Sequence, residues 1–359
     1  MSSLNTEDVT PAVTQPLISD EQRSHSSTPE RGTSPASRNN ASGDEGEDAI
    51  TTASSFLWLL TLAAGVSGCL FGYDTGVISS TLVSVHNDLS GRPLTTLDKS
   101  LITSSTSFFA LVASPVTGIL SDRLGRKPIL LLASILFIIG ALAQAVSTTV
   151  TAMILGRSIV GVAIGSASFV APMYVAELSP KRLRGRLVVV QTLFITGGQV
   201  IAYVVGWAFS DARNGWRWMV GLGAIPAVLQ ALMLFFMSES PRYLIKVGLM
   251  DQAENVLRKV YVGQEMAVQA VLRNVQREQE EEDSQSISVD DDGRVNTVKS
   301  RSLLHGSLQQ LLFVPAHRRA LTIACMLQGF QQLCGFNSLM YVVTSKTIYK
   351  TVHKTNHTH

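Results

Sequence analysis

Apolar residues dominate six long stretches of the chain, at about 56–85, 101–120, 128–146, 151–175, 187–209 and 218–237, and a seventh begins near Ala320. A helix needs roughly 20 apolar residues to cross about 30 Å of hydrocarbon. The pattern therefore predicts an all-α integral membrane protein with a six-helix bundle over 55–237 and a partial seventh span over 319–341. A protein with buried-core helices is the competing reading, and six spans of this length speak against it. Polar sequence flanks the spans. Residues 1–54 are rich in Ser, Thr, Pro and Asn, lack the apolar core of a signal peptide, and read as a disordered tail. In the polar stretch 238–318, Leu244, Val247, Ala253, Val256, Leu257 and Val260 recur at three and four residues, which predicts short helices from 240 to about 275. The acidic run at 278–283 and the sequence from 284 to 302 read as solvated loop.

Loop charge gives the orientation. The loop after the second span carries Arg123, Arg126 and Lys127, and the loop after the fourth carries Lys181, Arg182, Arg184 and Arg186, whereas the turn 147–150 is uncharged. Basic loops stay on the cytoplasmic side. This predicts a cytoplasmic N-terminus and a cytoplasmic 238–318 segment, with the plasma membrane as the expected location.

Composition narrows the function classes. Charged residues make up 16% of the chain and hydrophobic ones 46%, with a mean hydropathy of +0.23. A soluble domain carries about 25% charged residues. The net charge is +2 and the basic residues fall in short clusters, so no nucleic-acid partner is implied. Cys69, Cys325 and Cys334 lie inside apolar runs and read as small hydrophobes. Neither CxxC nor HExxH occurs, and no nucleophile–base set stands out. No metal, cofactor or enzymatic activity is therefore indicated.

Candidate chemistry lies inside the spans. Only Asp74 and Arg157 are charged and well inside the first five. Either costs about 2.5–3.5 kcal/mol at a helix centre on a translocon scale, so each is expected to face a cavity and a partner. Proton binding to Asp74 would release Arg157 and so couple a proton to a helix movement. A structural ion pair that never titrates is equally compatible with the sequence. Thr192, Ile195 and Gln199 fall on one helical face. Gln328, Gln331, Gln332, Asn337 and Tyr341 crowd the seventh span. Uncharged amides and hydroxyls suit a ligand rich in hydroxyl groups, although interhelical hydrogen bonding also uses them; for Thr192 both readings stay open.

Three motifs on the predicted cytoplasmic face supply acids and bases: GILSDRLGRK (118–127), AELSP (176–180) followed by Arg184-Gly185-Arg186, and SESPRYL (238–244). The segment from Gly118 to Lys127 forms a tight turn that Gly125 permits, and the three motifs together put the acids Asp122, Glu177 and Glu239 and the bases Arg123, Arg126, Arg184 and Arg242 on one membrane face. Such a network can lock one conformation, or merely anchor helix ends in headgroups.

The GxxxDRxGRK turn resembles the signature loop of the major facilitator superfamily. Together with GYDTG (72–76), the Gly-Arg pair at 156–157, PMYVAELSPKRLRG (172–185), SESPR (238–242) and QQLCGFN (331–337), it resembles the sugar porter branch, and is most similar to fungal myo-inositol transporters. The resemblance implies two six-helix bundles with alternating access around a central site. It implies proton coupling at Asp74, opposed by Arg157, and ligand contact at Phe71, Gln199, Gln331, Gln332, Asn337 and Tyr341. The partners it implies are a polyol or sugar, protons and the lipid bilayer; it says nothing of oligomeric state. Hexose symport or uniport is the alternative, and a nutrient-sensing receptor a third. Two departures stand out. Bacterial relatives carry Gln where Thr192 stands, and the 342–359 segment does not continue the expected helix. That segment reads as an atypical tail, with Lys346, Lys350 and Lys354 against the charge bias, and predicts an incomplete chain that does not transport.

Overall fold

The structure is a computed structural model that describes residues 55–85, 87–210, 212–289, 295–297 and 315–335. The predicted tail 1–54, Asn337, Tyr341 and the 342–359 segment lie outside the described residues. Among the described residues, six helical segments are long and apolar enough to cross a membrane. They are α1 (Ser55–Ser84), α2 (Thr96–Leu124), α3 (Arg126–Val146), α4 (Val150–Leu178), α5 (Lys181–Ala208) and a sixth made of α6 (Gly215–Gly221) and α7 (Ala224–Phe236). Three loop helices follow, α8 (Pro241–Lys246), α9 (Met250–Val260) and α10 (Glu265–Ser286). A short antiparallel pair, β1 (Ile287–Val289) with β2 (Val295–Thr297), precedes α11 (Pro315–Leu333).

Local sequence fixes the helix starts. Thr95 caps α2 through its hydroxyl while the Asp98 carboxylate returns to the Thr95 amide, a capping box. Thr149 caps α4 by accepting from the Ala152 amide at 3.2 Å. Gly125, at φ +99°, joins α2 to α3. On α3, Leu132, Ile135, Ile139 and Leu142 are exposed at spacings of three and four, a stripe suited to lipid.

Lipid supplies no hydrophobic drive between helices, so close packing relies on small residues. Gly65, Gly68, Gly72 and Gly76 form a seam on α1 that receives α5. A Cβ on Gly72 would overlap the Ile195 carbonyl, and one on Gly76 would sit 2.7 Å from the Ala202 Cβ. Gly161 brings α4 onto α2, where a Cβ would lie 2.5 Å from the Thr106 carbonyl oxygen. Gly140 and Gly156 bring α3 onto α4 in the same way. Asp74 and Arg157 each lie within two residues of such a contact.

The structure corrects two expectations. The sixth span is broken rather than continuous. Pro226 has no amide hydrogen to offer the Leu222 carbonyl, which accepts instead from Ile225 at 3.1 Å, and the chain turns at Leu222 and Gly223. The acidic run 278–283 belongs to α10 rather than to a loop. Glu and Gln are good helix formers, and Glu278 is held by Arg242 at 2.9 Å. The loop helices also share one core with the bundle. Leu244, Ile245, Val256, Leu257 and Val268 pack in the same buried cluster as Leu57, Leu60, Ile129, Leu130 and Tyr174.

Candidate functional site

Asp74 and Arg157 form a buried ion pair. Arg157 Nη1 lies 2.5 Å from Asp74 Oδ1, with the residues 2% and 6% exposed respectively. The α1–α5 seam sets the level of Asp74. Thr106 sits beside Arg157, its hydroxyl donating to the Arg157 carbonyl at 3.4 Å. Arg157 Nε is buried without a hydrogen-bond partner.

The pair opens on a cavity of about 1430 Å³ lined by residues of α1, α2, α4, α5 and α11. Five of the sequence candidates beyond the pair stand in its wall with Asp74 and Arg157: Phe71 on α1, Thr192 and Gln199 on α5, and Gln331 and Gln332 on α11. Thr192 also donates to the Val188 carbonyl of its own helix at 3.3 Å. Gln328, which is not among the ligand contacts that the resemblance implies, lines the same cavity.

Sequence reasoning missed the wall formed by α2. Thr96, Ser100, Thr103, Ser107 and Ser114 line the cavity at helical spacing, and Lys99 joins them toward the start of the helix. The run Thr103-Ser104-Ser105-Thr106-Ser107 in an apolar span was the available signal. Of the six spans, α2 and α5 are the least buried, and both border this cavity.

A second constellation lies at the opposite end of α2, on the predicted cytoplasmic face. Arg126 reaches Glu177 Oε1 with Nη2 at 2.9 Å and Nε at 3.2 Å, Asp122 at 3.1 Å, and the Ser121 carbonyl at 3.1 Å. Ser240 donates its hydroxyl to the other oxygen of Glu177. Glu239 Oε1 accepts from the amides of Arg126 at 3.0 Å, Lys127 at 3.2 Å and Ser240 at 2.9 Å. The first two are orphan donors of a helix start whose N-cap, Gly125, offers no side chain. Gly125 is required twice over: its φ is in the left-handed region, and a Cβ would lie 2.5 Å from Glu239 Oε2. Gly118 packs under the Phe169 ring, the Arg123 carbonyl accepts from the Tyr243 hydroxyl at 3.2 Å, and Arg242 pairs with Glu278. Arg184 departs from the expected network: it is exposed and makes no ion pair among the described residues.

The profile of the family described as "Sugar (and other) transporter" matches residues 60–358. The chain belongs to this family. The family is one of transporters, not enzymes, and the match runs through 342–358, the segment set apart above as atypical. The chain is 44% identical over 289 residues to "Myo-inositol transporter 2" of Schizosaccharomyces pombe, covering 80% of this chain and 50% of the relative. It is 41% identical over 301 residues to "Myo-inositol transporter 1" of Candida albicans, covering 83% and 51%. It is 39% identical to the human "Proton myo-inositol cotransporter", covering 80% and 41%. The chain thus spans about half the length of these curated relatives. Among solved structures, the partially occluded inward-open xylose transporter XylE of E. coli matches with a TM-score of 0.64 at 28% identity, over 83% of this chain and 69% of that one. The chain is therefore a sugar porter of the major facilitator fold, with fungal inositol transporters among its relatives at 41–44% identity.

Proposed function

We propose that this chain forms the first wall of a proton-coupled transporter for myo-inositol or a related polyol. The observation that carries the reading is the buried Asp74–Arg157 pair opening on a cavity walled by hydroxyls and amides. The two charges of the pair cancel, the one other charge in the wall, Lys99, stands toward the start of α2, and the rest of the wall offers many hydrogen-bond partners, which matches a neutral ligand with many hydroxyl groups. The names of the relatives at 39–44% identity support the substrate class, and the human relative's name supports the proton. Phe71, Thr192, Gln199, Gln331 and Gln332 hold the polyol in this reading, and Asp74 takes the proton. The Arg126–Glu177–Glu239 network biases which side of the bundle is closed. Its basic residues also support a cytoplasmic N-terminus.

Binding of radiolabelled myo-inositol to the purified 359-residue chain in lipid nanodiscs tests the proposal across a pH series. A ligand favoured by the protonated state loses affinity as pH rises through the Asp74 transition. The expected result is saturable binding that weakens at high pH in the unsubstituted chain and is independent of pH in Asp74→Asn. Competition by glucose and xylose in the same assay ranks polyol against sugar. Unchanged pH dependence in Asp74→Asn removes the proton assignment, and better competition by glucose removes the polyol.

A further inference from the structure

On α3, which packs against α4 at the residue preceding Arg157, a second buried polar atom has no partner. Gln144 on α3 is 1% exposed, and its Oε1 accepts no hydrogen bond among the described residues. Arg157 Nε, a buried donor, is unpartnered as well. One is an acceptor and the other a donor. The two side chains come from backbones that touch. A Cβ on Gly156 would lie 2.6 Å from Gln144 Cγ and 3.1 Å from the Gln144 amide nitrogen, so Gln144 rests on the turn of α4 that carries Arg157.

Breaking a buried ion pair is costly because it strands the remaining charge. When Asp74 is protonated, the Arg157 guanidinium loses its anionic partner inside the bundle and needs another acceptor. The charged groups on the surrounding helices and their connecting segment do not provide one. Asp98 is held by Arg92 at 2.8 Å, Asp88 accepts from the Trp216 indole at 2.8 Å, and Arg217 donates to the Ala145 carbonyl at 2.8 Å. Lys99, further along α2, is a cation and cannot accept.

We infer that Gln144 is the alternative acceptor for Arg157: protonation of Asp74 opens the Nη1–Oδ1 contact, and the guanidinium then donates to Gln144 Oε1. The proton ends on the Asp74 carboxyl, no other proton moves, and α4 gains a second resting state registered against α3 instead of α1. Gln144 is thus a positioning residue for the coupling step. The inference rests on the proton reading of Asp74 given above.

Infrared spectroscopy of the full chain in nanodiscs tests it through the protonated-carboxyl band that Asp74→Asn removes. The pH midpoint of that band is the readout, which a merely structural Gln144 would not move. Gln144→Leu deprives the protonated state of its acceptor, so the midpoint falls, by about one pH unit for one charge-assisted hydrogen bond. Gln144→Glu gives Arg157 an anionic alternative, so the midpoint rises by at least as much; the introduced carboxyl is subtracted using the same substitution on the Asp74→Asn background. If Gln144→Leu does not fold, Gln144→Met, which keeps the side-chain length and also lacks the acceptor, decides in its place. A titrating band whose midpoint is the same in the variants overturns the role of Gln144 and leaves the proton reading intact. If the unsubstituted chain shows no titrating band that depends on Asp74, both fall together.

Discussion

The carboxylate of Glu239 caps the helix that begins at Arg126, across 113 positions of sequence, by accepting the first two amides of that helix at 3.0 and 3.2 Å. A negative group at a helix N-terminus gains from both the orphan donors and the helix dipole. It also ties the end of the sixth span to the start of the third. Glu239→Ala removes the acceptor and the charge together, and caps of this kind contribute about 0.5–2 kcal/mol. The thermal midpoint of the purified chain is expected to fall in Glu239→Ala and to fall less in Glu239→Gln, which keeps one acceptor. Equal midpoints in both variants and the unsubstituted chain would remove the capping role.

Arg126 and Glu177 are both about nine-tenths buried at the side chain and are joined through two guanidinium nitrogens. Removing one partner of such a pair strands the other, at about 3–5 kcal/mol, whereas replacing both with apolar groups is often neutral. Arg126→Leu is expected to lower the unfolding midpoint strongly. Adding Glu177→Leu to it should recover part of the loss, a coupling that a double-substitution cycle measures. Additive losses would mean that Glu177 is satisfied independently, by Ser240.

On α5, two glutamines eight positions apart play different parts. Gln199 lines the cavity, while Gln191 is buried and leaves its Oε1 unpartnered, its backbone carbonyl against Gly68. Losing a hydrogen bond to a ligand hydroxyl costs about 1–3 kcal/mol, roughly 5- to 150-fold in affinity. Gln199→Ala should weaken myo-inositol binding by that factor and leave the unfolding midpoint nearly unchanged. Gln191→Leu should leave affinity within a few-fold and hold or raise the midpoint. Since Gln328 shares the cavity wall with Gln331 and Gln332, Gln328→Ala is also expected to weaken binding. Full affinity in Gln199→Ala would return that face of α5 to helix packing.

Much of this was legible in the sequence, for a physical reason. Lipid demands long apolar runs, so the spans announce themselves, and the cost of a charge among them isolates Asp74 and Arg157. Less legible were features that depend on which helix lies opposite. The Ser/Thr face of α2 has clear helical spacing, but spacing alone does not say whether a face meets a cavity or a neighbour. Glu239 as a distant cap depends on the path of the sixth span. The break at Leu222 and Gly223 was available from Pro226, but prolines inside α2 and α4, Pro115 and Pro172, do not end those helices. The acidic run of α10 resembles a solvated loop in sequence because a block of like charges is common there, although Glu and Gln are good helix formers.

The glycine seam of α1 gives the sharpest comparison of two like substitutions. At Gly72 a Cβ would overlap the Ile195 carbonyl of α5, whereas at Gly197 on α5 no atom lies within 4 Å of an added Cβ. Backbone cannot rotate away as a side chain can, so Gly72→Ala must push α1 and α5 apart at the turn next to Asp74. Gly197→Ala meets open space and replaces a residue that is roughly 1 kcal/mol poorer in a helix. The thermal midpoint should therefore drop in Gly72→Ala and stay or rise in Gly197→Ala. Because Phe71 and Asp74 flank Gly72 on the cavity wall, myo-inositol affinity should fall in the first variant and persist in the second. Conservative size does not help the first: Gly72→Ser adds the same Cβ and is expected to do no better. If Gly72→Ala matched the unsubstituted chain in both midpoint and affinity, the contact between α1 and α5 at Ile195 would have to be looser than the seam described here.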